Sequence, residues 1–303
     1  MGVKMWIAQE HARDLLTDIP ANVDVEVYDG TAYPSDPADV EFMVPPFLGS
    51  TQEDPLKAFP NLKVMQLLSA GADAWATKMK PGVTLCDGQG VHTDSTAEWA
   101  VTAVLASLRK FDVFARAQAR REWQPAKSTR VAGQRVLIVG AGDIGEAIAA
   151  RLEPFGVELV RVARRSREGV HPISNIDQLL PDADVVVLIV PLTDATRKMV
   201  DANFLHHMKD GALLVNAARG PVVDTEALTQ EVTSGRLRCA VDVTDPEPLP
   251  ADHPLWEQPG ALITPHVGGA VNGFLPRGYQ LVSDQVRRYC AGEELNNIVT
   301  DGY

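Results

Sequence analysis

The stretch Arg135-Val136-Leu137-Ile138-Val139-Gly140-Ala141-Gly142-Asp143-Ile144-Gly145 decides the fold. An apolar run ends there in Gly-x-Gly-x-x-Gly and passes into Glu146-Ala147-Ile148-Ala149-Ala150-Arg151-Leu152, which is apolar at helical spacing. Strand, glycine turn and helix in that order are what a dinucleotide-binding unit requires. Gly140 suits the tight turn, Gly142 lets backbone approach a pyrophosphate, and Gly145 lets the helix pack closely on the strand. The helix opening at Asp143 and Ile144 offers its unpaired N–H groups to the phosphates.

Downstream of this unit the alternation is regular. Strands are expected at 135–140, 158–163, 184–190, 212–216, 239–243 and 261–264, with helices at 144–152, 176–180, 203–208 and 224–234 between them. Strands that read as unbroken Val, Ile and Leu are buried on both faces, the mark of a parallel sheet between two helix layers. Upstream, apolar runs at 3–8, 23–28, 40–44, 62–68 and 83–86, with helices expected at 11–16 and 55–59, describe a smaller α/β unit with a mostly parallel sheet. From Ser95 a longer helical pattern leaves the first unit for the second. A last amphipathic segment, 271–289, is expected to cross back and pack on the first, with Phe274, Leu275, Tyr279, Val282, Val286 and Tyr289 as its apolar positions. The expected organisation is α/β: a doubly wound parallel-sheet (Rossmann) dinucleotide domain over 96–269, and a discontinuous substrate domain over 1–95 plus 270–303.

The 303 residues suffice for two domains and a sizeable core, and 45% hydrophobic with 22% charged residues is ordinary globular composition. A net charge of −12 argues against a sequence-independent grip on nucleic acid or on anionic lipid. Cys86, Cys239 and Cys290 are too few and too scattered for a disulfide framework or a zinc site, which fits a reducing cytoplasm. The purest apolar run, 185–190, has six residues against the ~20 that span a bilayer, and the opening residues carry no secretory h-region. No metal and no membrane are expected.

In NAD-binding units a carboxylate about 20 residues past the first glycine holds the adenosine ribose. Here that place reads Val162-Ala163-Arg164-Arg165-Ser166, with no carboxylate between Leu159 and Ser166. Two guanidiniums and a hydroxyl suit a 2′-phosphate through charge-assisted hydrogen bonds, so NADP(H) is expected over NAD(H). The bland alternative is a solvated arginine pair at a strand end.

Three later segments follow strand runs: Asn216-Ala217-Ala218-Arg219-Gly220, Asp242-Val243-Thr244-Asp245-Pro246-Glu247-Pro248, and Pro265-His266-Val267-Gly268-Gly269. With the glycine turn they resemble the D-isomer-specific 2-hydroxyacid dehydrogenase family, over nearly the whole chain and in family order. That family includes glyoxylate/hydroxypyruvate reductases and phosphoglycerate dehydrogenases, and the chain resembles the former. The resemblance implies a flavodoxin-like first domain, a homodimer, and Arg219, Glu247 and His266 as catalytic residues. It implies that Val190, Pro191, Thr196, Ala217, Ala218, Arg219, Asp242, His266 and Gly268 line the cofactor. It also implies that Ser69, Ala70 and Gly71, in Leu68-Ser69-Ala70-Gly71-Ala72-Asp73, receive the substrate carboxylate on backbone N–H groups.

The residue types make chemical sense of that implication. A 2-oxo acid carries a carboxylate beside a ketone, and one planar guanidinium such as Arg219 grips the first while polarising the second. Reduction needs a proton for the alkoxide, which His266 supplies, and a carboxylate at Glu247 orients the ring and compensates its charge. Taken singly, a His after a strand or a Glu between prolines is more often a loop residue. His206 and His207 read as a surface pair, His92 as at best a neighbour of the substrate, and Trp99 and Trp256 as core.

Two rivals remain. One is a nicotinamide-sensing protein of the same fold, like the corepressors that resemble these dehydrogenases, although the sequence shows no long basic extension for recruiting partners. The other is a relative with different substrate chemistry, such as a short phosphoglycerate dehydrogenase. Formate dehydrogenases resemble the family but pair His with Gln, and Glu247 disfavours that reading. Substrate choice is assigned to loops at 44–48, 69–73 and 88–92, with Phe47, Leu48 and Trp75 as an apolar wall and Phe274 and Leu275 as further candidates. The stretch 110–127, with Phe111, Val113, Phe114, Ala117 and Trp123 among arginines, is either a subunit-contact arm or a helix packed on its own domain.

Overall fold

The computed structural model describes residues 2–46 and 56–300. The chain divides into two compact units, Met1–His92 with Val271–Tyr303, and Thr93–Ala270.

The first unit is a five-stranded parallel sheet of β1 (Val3–Ile7), β2 (Val23–Val27), β3 (Val40–Met43), β4 (Val64–Gln66) and β5 (Thr84–Cys86). Its order, β2-β1-β3-β4-β5, is the flavodoxin-like one. Successive side chains of a strand face opposite ways, so both faces must be covered. Trp6, Met65 and Leu85 pack on one side with Trp75 from α1 (Asp73–Ala76). Met5, Ile7, Phe42 and Val64 pack on the other beneath Tyr279, Val282 and Val286 of the last helix, Phe274–Ala291.

Of the two helices expected in this unit, one is a helix of another kind and one is absent. Glu10–Leu15 is a 3-10 helix, closed by the Leu16 N–H on the Arg13 carbonyl. Within 55–59, Pro55 lies outside the described residues, and 56–58 form only a turn, with the Phe59 N–H on the Leu56 carbonyl at 3.1 Å. Leu56 and Phe59 are buried, which explains the helix-like spacing, but Pro60 has no N–H with which to continue a helix.

The second unit holds β6 (Arg135–Val139), β7 (Glu158–Ala163), β8 (His171–Pro172), β9 (Val185–Leu188), β10 (Leu213–Asn216), β11 (Arg238–Val241) and β12 (Ala261–Ile263). They form one seven-stranded parallel sheet, β12-β11-β10-β9-β6-β7-β8. The two-residue β8 was not expected from the sequence, where a proline at a sheet edge reads as loop. The helices are α2 (Thr93–Leu108), α3 (Phe111–Ala119), α4 (Asp143–Leu152), α5 (Ile176–Leu179), α6 (Ala202–His207) and α7 (Thr225–Thr233).

The unbroken apolar strands are explained by their alternation. Leu137, Val139, Val186, Leu188 and Leu214 face α6 and α7. Val136, Ile138, Val185, Val187, Leu213 and Val215 face α2 and α4. This is the doubly wound Rossmann architecture, and its strand order reverses between β6 and β9, where open sheets bind ligands at the carboxyl ends of their strands.

Ile138 is fully buried between β6 and the α2/α4 layer. Ile138→Ala removes three carbons from that interface and is expected to lower stability by about 2–5 kcal/mol, read as a shift of the urea midpoint.

Candidate active site

β6 is followed by Gly140, whose positive φ of 116° turns the chain, with its N–H on the Val162 carbonyl at 2.8 Å. α4 begins at Asp143 with Gly142 as its extended N-cap residue. A Cβ at Gly145 would lie 1.9 Å from the Gly140 carbonyl oxygen, so only glycine allows α4 to come this close. A Cβ at Gly142 would meet nothing within 4 Å. The helix N-terminus therefore opens onto space at the one glycine whose backbone a pyrophosphate would approach, and the turn fits the group that the sequence implies. Asp143 accepts a hydrogen bond from the Thr93 hydroxyl, which joins this turn to the first residue of α2.

Past β7, Arg164, Arg165 and Ser166 are all exposed. Arg167, not singled out in the sequence, donates to the Ala141 carbonyl inside the glycine turn and lies 3.4 Å from Glu146. It ties the arginine loop to the turn. The sequence offered only a third arginine in a basic run.

Past β9, Val190 and Pro191 lead into a loop folded on Thr196, whose hydroxyl donates to the Pro191 carbonyl at 2.6 Å and accepts from the Thr193 N–H at 2.8 Å. Past β10, the buried Asn216 side chain shapes the next turn by accepting from the Ala218 N–H at 3.1 Å and donating to the Arg219 carbonyl at 3.2 Å. Arg219 follows, partly buried, with Nη1 on the Ala218 carbonyl at 2.8 Å. A Cβ at Gly220 would lie 1.9 Å from the Thr244 carbonyl oxygen. That missing atom brings the Arg219 turn against the segment that carries Glu247.

Asp242, just past β11, is 6% exposed and acts as a clamp. Its Oδ1 accepts from the Thr264 hydroxyl at 2.6 Å and the Val267 N–H at 2.9 Å, and its Oδ2 from the Gly268 N–H at 2.7 Å. Its backbone carbonyl takes the His266 N–H at 2.7 Å. His266, past β12, is held at a φ of 54°, a left-handed conformation that a non-glycine residue keeps only when its surroundings fix it. Its Nδ1 lies 2.6 Å from Glu247 Oε1, with the two side chains 47% and 43% exposed. A carboxylate can only accept, so Nδ1 carries the proton in this pair and Nε2 is the ring's other nitrogen.

The glycine turn, the Thr196 loop, Arg219, Asp242 and His266 thus all leave the carboxyl ends of strands in one parallel sheet. In the first unit, the segment 69–71 follows β4, with the Ser69 hydroxyl on the Gly71 carbonyl at 2.8 Å. His92 is buried, with Nε2 3.0 Å from the Leu68 carbonyl oxygen.

Other expectations shift. Trp75 does not wall a pocket: it is 6% exposed and packed into the first unit's core. Phe47 and Leu48 lie outside the described residues. Trp99 packs on the α2/α4 core, whereas Trp256 is 49% exposed, its indole N–H on the Pro250 carbonyl. His206 and His207 stand side by side on α6, their ring centroids 6.0 Å apart. Burial pushes the Cys86 and Cys239 thiols up to about 12, which removes both as nucleophiles. Among the described residues no group of three His, Cys, Asp or Glu could hold a metal, and no helix is long and apolar enough to cross a membrane.

Residues 101–268 match the family model described as D-isomer specific 2-hydroxyacid dehydrogenase, NAD binding domain. A glyoxylate reductase of Thermofilum pendens is 35% identical over 255 residues, covering 78% of this chain and 75% of that protein. A formate dehydrogenase of Arabidopsis thaliana is 28% identical over 100% of this chain and 82% of its own length. The crystal structure of a D-isomer specific 2-hydroxyacid dehydrogenase from Xanthobacter autotrophicus Py2, in complex with NADPH and MES, is similar with a TM-score of 0.87 at 29% identity, covering 99% of this chain and 98% of that one. The chain belongs to the D-isomer specific 2-hydroxyacid dehydrogenase family. It is an oxidoreductase, and its second unit is a nicotinamide dinucleotide-binding domain.

Replacing Asp242 by Ala strips acceptors from one hydroxyl and two backbone N–H groups, each worth ~1–3 kcal/mol when left unpaired in a buried place. The His266 loop is expected to shift, with kcat/KM falling on the order of 10²-fold and a lower Tm. Steady-state kinetics on the variant beside its melting curve checks this, and wild-type kcat/KM would show that the clamp does not place His266.

Proposed function

We propose that this enzyme is an NADP(H)-preferring reductase that converts a small 2-oxo acid, of the glyoxylate or hydroxypyruvate type, into the D-2-hydroxy acid. The observation that carries the reading is the 2.6 Å pair of His266 and Glu247 on strand-end loops of the sheet that bears the glycine turn. It is supported by the similarity to a glyoxylate reductase, 35% identical, and to the NADPH-bound structure, 29% identical.

Gly140, Gly142, Gly145 and the α4 N-terminus would hold the pyrophosphate, with Val190, Pro191, Thr196, Ala217, Ala218, Asp242 and Gly268 along the rest of the dinucleotide. Arg164, Arg165 and Ser166 would hold the 2′-phosphate, since no carboxylate stands between Leu159 and Ser166 to repel it. When bound, the nicotinamide supplies a hydride to the substrate's carbonyl carbon. Arg219 grips the substrate carboxylate and polarises the ketone oxygen, so charge that develops there meets a fixed guanidinium. In the first unit, Ser69, Ala70 and Gly71 would offer backbone N–H groups to a substrate carboxylate. His266 delivers the proton from Nε2 to the new alkoxide, while Glu247 holds Nδ1–H and offsets the ring's charge. In the reverse direction neutral His266 takes the alcohol proton.

The enzyme is further inferred to work as a cytoplasmic homodimer. An open cavity of about 800 Å³ along α2 is bordered by Phe111 and Phe155, 64% and 42% exposed, and the irregular stretch 122–130 carries Trp123 at 98% exposed. Apolar side chains left in water on this scale fit a subunit contact. Sedimentation velocity is expected to show a dimer, and a monomer at working concentration would overturn it.

The chemistry is tested with a panel of 2-oxo acids and both reduced cofactors. His266→Ala and Arg219→Ala are each expected to keep NADPH binding and lose turnover by two or more decades, about 3 kcal/mol of barrier. Arg164→Ala with Arg165→Ala is expected to erase the preference for NADPH over NADH while sparing turnover with NADH. Near-normal turnover in either single variant, or a wild-type preference for NADH, would sink the corresponding assignment.

A further inference from the structure

The carbonyl groups around the segment 69–71 are taken by other parts of the first unit. The Leu68 carbonyl oxygen lies 3.0 Å from His92 Nε2, and the Ser69 carbonyl accepts from the Gly88 N–H at 2.7 Å. A carbonyl oxygen can only accept, so Nε2 bears the proton. The approach is close: a Cβ at Gly88 would lie 2.4 Å from the Leu68 carbonyl oxygen, so a glycine is required where 88–92 runs against 68–69. The described cis peptide bonds are Asp245-Pro246 and Glu247-Pro248, so the peptides after Leu68 and Ser69 are trans. In a trans peptide the N–H points opposite to the C=O. Holding both carbonyls toward 88–92 therefore turns the peptide N–H groups of Ser69 and Ala70 away from that segment.

His92 is itself held for this task. It is 7% exposed, its ring centroid lies 5.5 Å from that of Phe274 at an interplanar angle of 32°, and the Val91 carbonyl beside it accepts from Arg277 Nε at 3.1 Å. The last helix thus braces the ring while the ring braces the loop.

We propose that His92 is a positioning residue for the substrate: by donating from Nε2 to the Leu68 carbonyl it fixes the peptide planes that present the Ser69 and Ala70 N–H groups to the carboxylate of a 2-oxo acid. This rests on the reading of 69–71 as the carboxylate-receiving loop. It gives a buried histidine that takes no part in proton transfer a reason to be there.

The test compares wild type with H92F, which keeps an aromatic ring and loses the donor, and H92Q, which keeps a donor. KM for glyoxylate, kcat, Kd for NADPH and the inhibition constant of oxalate are measured for each, with amide hydrogen exchange over 68–71 in the ligand-free proteins. For H92F the expected result is a rise of tenfold or more in KM and in the oxalate constant. Its kcat should stay within a few-fold and its NADPH Kd should not change, with faster exchange at 68–71. H92Q should recover most of the loss. An active wild type whose H92F form keeps its KM, or an H92Q form no better than H92F, overturns the role of His92 alone. A wild type that neither reduces any 2-oxo acid nor binds oxalate overturns the reading of the loop, and the role of His92 with it.

Discussion

The site depends on how closely backbone can approach backbone at the carboxyl edge of the seven-stranded sheet. Where α4 meets the glycine turn, and where the Arg219 turn meets Thr244, a Cβ would fall 1.9 Å from a carbonyl oxygen. Two glycines, Gly145 and Gly220, remove that atom and let five strand ends converge. Asp242 then fastens what has converged, spending both carboxylate oxygens on the loop that carries His266. The His266 and Glu247 pair is the last link of that chain: a left-handed residue held by its own N–H on Asp242, with its ring oriented by a carboxylate from the neighbouring strand's loop.

This ordering explains why the chemistry sits on loops while precision comes from the sheet. A parallel sheet buried on both faces is stiff, since side chains alternate between two helix layers and neither layer can shift without opening a packed core. Loops that leave its strand ends inherit fixed starting points. The same logic operates in the first unit, where 88–92 and 68–69 leave neighbouring strands β5 and β4 and exchange hydrogen bonds directly.

Much of the fold was legible because the physics that makes a doubly wound sheet also writes unbroken Val, Ile and Leu runs between amphipathic helices. The strand before the glycine turn, the long helix from Thr93 and the last helix all stand within a few residues of their expected bounds. Short elements were less legible. Leu56 and Phe59 share a buried side without a helix because Pro60 stops one from forming, and His171–Pro172 pairs at an edge where sequence shows only a proline. Trp75 beside a glycine-containing loop looked like a pocket wall, yet α1 turns it inward beneath the sheet. The pattern also named Asp242 only as a cofactor neighbour, because what it clamps lies more than 20 residues away in the chain. Asn216 and His92 were undervalued for the same reason: each acts on a backbone carbonyl or N–H, and no sequence pattern marks which carbonyl needs a partner.

In the proposed function this edge of the sheet delivers hydride and proton to a 2-oxo acid with one handedness. The most direct measurement is the chirality of the acid formed from hydroxypyruvate and NADPH by the wild-type enzyme, followed by chiral chromatography as the cofactor is consumed. D-glycerate in amounts equal to the NADPH oxidised is the expected result. L-glycerate, a racemate, or oxidation of NADPH without glycerate would contradict it.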